Sequence, residues 1–168
     1  MLDIARRRNP EVTFHQGDMA TFQLGATFQA VVCLFSSIGY VQTVERMNQT
    51  LRRFASHTAP GGVVVVDSWI TPDRWKRSHL QALLVDETDL KLARLSRSDQ
   101  DGMLSILELH HLVVTAAGAE SFVERHEMGL FTPEQYRAAF EEAGLTVTYD
   151  PHGGPLGREV YVGLRPVT

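Results

Sequence analysis

The sequence predicts an α/β fold that carries an antiparallel β insertion, and three observations predict it. Two continuously apolar runs, Ala30 to Phe35 and Val63 to Val66, suit strands covered on both faces, as in parallel sheets. Between them, residues 43–57 place Met47, Leu51 and Phe54 at helical spacing. From about Leu83 to Phe131 the texture becomes alternating and helix-poor, with turn signals at Asp101-Gly102 and Ala117-Gly118. Strand, helix and strand with buried runs argue for a mainly parallel sheet, and the alternating middle argues for antiparallel strands.

The elements follow in order. "MLDIARRR" reads as the end of a helix, without an N-cap or a preceding turn. "EVTFHQ", residues 11–16, reads as a short strand that ends on Gly17-Asp18-Met19. The helix over 43–57 has Thr43 as its cap and Glu45 near its positive end, and Pro60-Gly61-Gly62 stops it. "GGVVVVDSW" is the next strand and ends on Asp67. The middle holds strands at roughly 83–86, 91–98, 103–115 and 120–130. Thr132-Pro133-Glu134-Gln135 is a capping box with proline at the first helical position. Tyr136, Ala139, Phe140 and Ala143 form that helix's apolar face, and Gly144 ends it. "LTVTYD" and "REVYVGLRP" are the last strands, joined by the glycine-rich "PHGGPLG". Residues 1–75 and 131–168 thus read as the α/β core of a single domain, with 76–130 as the insertion.

Composition sets the bounds. A chain of 168 residues, 43% hydrophobic and 21% charged, is an ordinary single globular domain. A net charge of −4 leaves no electrostatic footprint for nucleic acid. No apolar run approaches the ~20 residues of a membrane span, so no membrane partner is expected. The one cysteine, Cys33, excludes a disulfide framework, fits a reducing cytoplasm, and reads as a small buried hydrophobe.

In an open α/β sheet, ligands bind beyond the carboxyl ends of the strands. Three tips matter here: Gly17-Asp18-Met19, Phe35-Ser36-Ser37-Ile38-Gly39-Tyr40, and Asp67-Ser68-Trp69. Together they supply a carboxylate, hydroxyls, aromatic walls and a glycine, which suits an adenosine-like ligand. Each tip also has a plain reading: Asp18 as a turn cap, Ser36 and Ser37 as turn formers.

With those tips in place, "HQGDM", "FQAVVCLFSSIGYV" and "PGGVVVVDSW" resemble class I S-adenosylmethionine-dependent methyltransferases. More narrowly they are similar to the N,N-dimethyltransferases of nucleotide-linked amino sugars, the desosamine and mycaminose type. The likeness continues through "LELHHLVV", "LFTPEQYRAAFEEAGL" and "GGPLGREVYVG". It implies a Rossmann-like sheet, S-adenosylmethionine as cofactor, and N-methylation of a small amine such as a nucleotide-linked amino sugar. It also implies roles. Asp18 would hold the adenine amino group with Met19 against the ring. Phe35 and Ser36 would line the methionine end of the cofactor. Ser37 and Tyr40 would face the substrate, Trp69 would wall the pocket, and Arg158 would clamp a substrate phosphate. A guanidinium fork among glycines can pair bidentately with phosphate, although a surface arginine is the competing reading. Direct methyl transfer needs a neutral amine in line with the methyl group. Tyr40 and His110 are the candidates to orient or deprotonate it.

Glu108 and His110 share a strand face, and a satisfied pair between them is expected beside the pocket. With His126 they are the one candidate metal cluster, but the spacing is not diagnostic and no metal is expected.

The family's glycine-rich loop and its ribose-binding acid do not appear in these 168 residues. "MLDIARRR" aligns with the helix just after that acid, so the sheet is expected to lack its first two strands. The strand "VVCLF" would then have an unpaired apolar edge. An N-terminally truncated sequence is the favoured explanation, with weak cofactor binding as its consequence. An inactive remnant, or a module that pairs through that edge with another chain or a second copy, is the alternative.

Overall fold

The computed structural model describes residues 1–153 and 157–167. Its elements are α1 (Leu2–Arg8), β1 (Phe28–Cys33), a 3-10 turn (Ser37–Val41), α2 (Val44–Ser56), β2 (Thr58–Asp67), β3 (Leu80–Asp86), β4 (Leu90–Asp101), β5 (Leu104–Thr115), β6 (Gly118–Gly129), α3 (Pro133–Glu142), β7 (Thr146–Asp150) and β8 (Val160–Leu164). They build two four-stranded sheets, one ordered β1-β2-β8-β7 and one ordered β3-β4-β5-β6.

In the first sheet β1, β2 and β7 all run the same way and β8 alone is reversed; because β8 lies between β2 and β7, only the β1–β2 pairing is parallel, and β2–β8 and β8–β7 are antiparallel. The covering is one-sided. Helices α2 and α3 pack Met47, Leu51, Phe54, Tyr136, Ala139 and Phe140 against Cys33, Val64, Val66 and Tyr161 on one face. The alternate residues point the other way, and Val32 there is 57% exposed. A continuous apolar run therefore does not here report a strand buried on both sides.

"EVTFHQ" is not a strand. Residues 13–18 carry no regular structure, and β1 is the edge of its sheet. A strand persists only while a neighbour accepts its backbone hydrogen bonds, and this stretch has none among the described residues. What holds the segment is local. The Leu24 amide donates to Nε2 of His57 at 3.0 Å, while Nδ1 of His57 lies 2.8 Å from the Arg53 carbonyl. His57 is thus the pin between the loop and the end of α2.

Both helices start where expected. Thr43 accepts from the Arg46 amide, and the Thr132–Gln135 box is complete in both directions. Pro60-Gly61-Gly62 does not stop α2, which ends at Ser56; these residues lie in an irregular part of β2. Gly144 does follow α3 with φ +77°, the left-handed conformation a helix terminus favours. Thr132→Ala removes one half of the box, and a loss of about 1 kcal/mol is expected from chemical denaturation.

The second sheet is the antiparallel insertion; β3 and β4 are three and four residues longer than expected, and β5 and β6 are within one residue of the expected length. Its register puts Ser105, Leu107, Leu109 and His111 of β5 opposite Met128, His126, Glu124 and Phe122 of β6. Trp69 and Trp75 tie this sheet to the first: their indole nitrogens donate to Ser105 Oγ at 2.9 Å and to the Asp99 carbonyl at 3.1 Å. No helix among the described residues is long and apolar enough to cross a membrane.

Candidate active site

The carboxyl ends of β1 and β2 meet in a bonded cluster. The chain leaves β1 through two consecutive left-handed residues, Phe35 at φ +56° and Ser36 at φ +58°. Neither is glycine, so the conformation costs of order 1–2 kcal/mol per residue. Asp67, only 1% exposed at the end of β2, compensates. Its two oxygens accept the Phe35 amide at 2.9 Å and the Ser36 amide at 2.6 Å. The strained turn carries the Phe35 ring outward, 79% exposed, at the mouth of the sheet.

Ser36 itself is fully buried. Its hydroxyl donates to the Ser68 carbonyl at 2.7 Å and accepts from Arg158 Nη1. The Arg158 guanidinium lies over the Trp69 ring, 5.0 Å from its centroid. Arg158 is therefore held on two sides before any ligand arrives, and the reading of a free surface arginine does not hold. Beside it runs a cleft of about 480 Å³, lined among others by Trp69, Arg74, Trp75, Lys76 and His79. Its charged side chains are basic. Trp69 is 9% exposed, so it floors the cleft more than it walls an open pocket. "PHGGPLG", the turn before Arg158, is described except for residues 154–156.

Asp18 is held separately, by its own turn and by Arg46 of α2. One oxygen accepts the Ala20 amide at 2.8 Å and the other meets Arg46 Nη2 at 2.7 Å. The Ala20 amide first, and Arg46 second, hold this carboxyl below the usual carboxylate range. It stays charged at neutral pH and retains lone pairs for a further donor. Met19 packs half-buried against the core beside α2. Ser37 closes its own turn by donating to the Leu34 carbonyl at 2.7 Å.

Tyr40, on the 3-10 turn, is 47% exposed. Its hydroxyl lies 2.6 Å from His126 Nδ1. Burial first, and the charge of Glu124 second, hold the phenol above its ordinary value. His110, the other candidate to orient or deprotonate the amine, lies elsewhere. Its ladder partners are Leu95 and Val123, so it lies on the opposite face from His126, exposed. Glu108 shares the face of His110 but engages Arg125 at 3.1 Å and Arg97 at 3.8 Å instead of pairing with it. The candidate cluster Glu108, His110 and His126 is thus split by the sheet. Among the described residues no group of three metal-ligating side chains occurs. Cys33 lies under the turn as a buried thiol; burial, with the Asp67 charge adding to it, pushes it up to about 12.

Sequence reading did not assign Asp67 and His126 their places. Asp67 was visible only as a strand tip. His126 needed the register between β5 and β6, which no local pattern carries.

Similarity to known proteins points the same way. Residues 1–62 match a family model described as a methyltransferase domain. A dTDP-3-amino-3,6-dideoxy-alpha-D-glucopyranose N,N-dimethyltransferase of Streptomyces fradiae is 43% identical over 165 residues, 98% of this chain and 64% of its own length. The chain thus spans a little under two thirds of that relative. The crystal structure of DesVI from Streptomyces venezuelae superposes with a TM-score of 0.92 at 41% identity, over 98% of this chain and 70% of that one. The S-adenosylmethionine-bound structure of CalS10, an amino pentose methyltransferase from Micromonospora echinaspora, gives 0.88 at 39% identity, over 98% and 69%.

Proposed function

Because the chain belongs to the class I S-adenosylmethionine-dependent amino-sugar methyltransferase family, we propose that it carries the acceptor half of an N-methylation site for a nucleotide-linked amino sugar. The observation that supports this most is the Ser36–Arg158–Trp69 cluster at the mouth of a basic, tryptophan-lined cleft. A guanidinium pre-held by a hydroxyl and an indole loses little freedom on meeting a phosphate, so its bidentate bonds are not spent on ordering.

The residues present fit part of the cofactor. Asp18 would accept from the adenine amino group, with Met19 close by, and the Phe35 ring and the amide-bearing turn would border the methionine end. When bound, S-adenosylmethionine supplies the electrophilic methyl group. The chain's task is to hold a neutral amine in line with it and to keep water out. Tyr40 would orient the amine; His110, on the other face of its sheet, takes no part. Ser37 would act through the turn it closes. A reducing cytoplasmic setting suits the single buried thiol.

Calorimetric titration tests the reading. A dTDP-linked amino sugar is expected to bind with Kd on the order of 100 μM, and S-adenosylmethionine only in the millimolar range. These 168 residues hold Asp18 but no Gly-x-Gly turn to cradle the rest of the cofactor. Micromolar cofactor binding would remove the claim of an impaired cofactor site; no binding of the nucleotide sugar would remove the proposed function.

One observation favours the second reading, a module that pairs through its sheet edge. Among the described residues β1 has no strand on its outer side, and its open face is apolar, with Phe28 44% and Val32 57% exposed and Leu34 just beyond it 43%. Such an edge is a template for another strand. Light scattering on a gel-filtered sample decides: a concentration-independent monomer counts against it.

A further inference from the structure

The Tyr40–His126 contact has no counterpart in the roles assigned so far. Tyr40 comes from the 3-10 turn after β1, and His126 from the inner face of the second sheet. The two elements approach from different sheets and meet at 2.6 Å between the phenol oxygen and Nδ1. Gly39 makes the approach feasible: a side chain there would meet Met128 at 2.9 Å and Trp69 at 3.3 Å. The surroundings of His126 are simple. Across the ladder it faces Leu107, with Ser105 and Leu109 beside it. The titratable and charged groups on this face include Tyr40, Glu124, His111, whose Nε2 lies 3.1 Å from the Glu124 carboxylate, Arg94 across the ladder from His111, and His79, which lines the cleft with Leu107. Tyr40 is half exposed and His126 half-buried, so the pair connects the site to solvent.

We propose that His126 is the proton acceptor behind Tyr40: the Tyr40 hydroxyl donates to the unprotonated Nδ1 and thereby passes on the proton an amine must lose to be methylated. This rests on the N-methylation reading. An alkyl amine near neutral pH holds its proton, and each transfer to nitrogen leaves an ammonium that must lose one before another methyl can be accepted. In the step, the substrate N–H bond breaks and an O–H bond forms on Tyr40. The original Tyr40 O–H breaks and an Nδ1–H bond forms on His126. The Nε2 proton then leaves to water, exchange with solvent returns the imidazole to its Nε2–H tautomer with Nδ1 free to accept again, and the electron pair freed on the substrate nitrogen is the nucleophile. Tyr40 remains a neutral hydroxyl throughout, so it serves as a conduit rather than a phenolate base. His126 is a positioning and relay residue, since it acts through Tyr40.

The experiment combines two readouts on the full chain. Imidazole nitrogen NMR across pH reports the His126 tautomer in the wild type and in Tyr40→Phe. Methyl transfer at millimolar S-adenosylmethionine to a dTDP-linked amino sugar gives kcat and KM against pH for the wild type and His126→Asn. The asparagine can still accept the Tyr40 hydrogen bond but cannot carry the proton away. The expected NMR result is an unprotonated, hydrogen-bonded Nδ1 that changes in Tyr40→Phe. The expected kinetic result is a wild-type kcat that falls as pH is lowered. In His126→Asn that limb is lost, and kcat is about 10²-fold lower with KM unchanged, the scale of general acid–base assistance. A protonated Nδ1 at neutral pH, or a wild-type pH profile in His126→Asn, overturns the relay while leaving N-methylation standing. Absence of methyl transfer in the wild type overturns the N-methylation reading, and the relay falls with it.

Discussion

Asp67→Ala is expected to destabilise the protein by about 4 kcal/mol, because it leaves two buried backbone donors without acceptors at roughly 1–3 kcal/mol each. The donors are the Phe35 and Ser36 amides, and both residues sit at positive φ. The loss is large against a total stability of about 5–15 kcal/mol for a domain. Removing the carboxylate also removes what holds the left-handed turn, so Ser36 loses its position and Arg158 its support. Denaturant titration followed by tryptophan fluorescence reads both consequences, since Trp69 lies under Arg158. Asp67→Asn separates charge from geometry. It keeps one acceptor oxygen but turns a second donor toward an amide, so it is expected to fall between wild type and Asp67→Ala. A shift of the unfolding midpoint under the equivalent of 1 kcal/mol in Asp67→Ala would show that the turn does not depend on this carboxylate.

Arg158→Ala is expected to weaken binding of a dTDP-linked amino sugar about 100-fold, equivalent to roughly 2–3 kcal/mol for a charge-assisted bond. Arg158→Lys should recover only part of it. A lysine can supply the charge but neither the planar fork nor the stacking on Trp69. Stability should change little, because the guanidinium is only partly buried and its bonds lie at the edge of the core. Calorimetry with the nucleotide sugar and with thymidine diphosphate alone tells where the loss arises. A loss of equal size for both ligands places Arg158 on the phosphates; a loss confined to the sugar-bearing ligand places it elsewhere, and the clamp is then wrong.

Much of this architecture was legible locally. The capping box at Thr132-Pro133-Glu134-Gln135, the cap at Thr43 and the glycine turn at 102 are decided within four or five residues, and the chain obeys them. The alternation from about 83 to 130 likewise announces half-buried antiparallel strands. "EVTFHQ" shows where local reading stops. Its β-branched and aromatic residues favour a strand, but propensity alone supplies no hydrogen-bonding neighbour. Val63 to Val66 shows the same limit from the other side: the run was rightly read as a strand, but its packing on one face only was settled by where α2 and α3 lie.

The site divides along the same line. Sequence by itself determined the family, the tips of β1 and β2, and the presence of Asp18, Phe35, Ser36 and Arg158, because those depend on residue type and on spacing within a motif. Only the tertiary structure decided that Ser36 supports Arg158 across 122 positions, that Asp67 holds the strained turn, and that His126 rather than His110 meets Tyr40. The physical reason is register. In an antiparallel sheet the side of every residue is set by the pairing of strands, and a shift of one residue would put His110 in the place of His111 on the inner face.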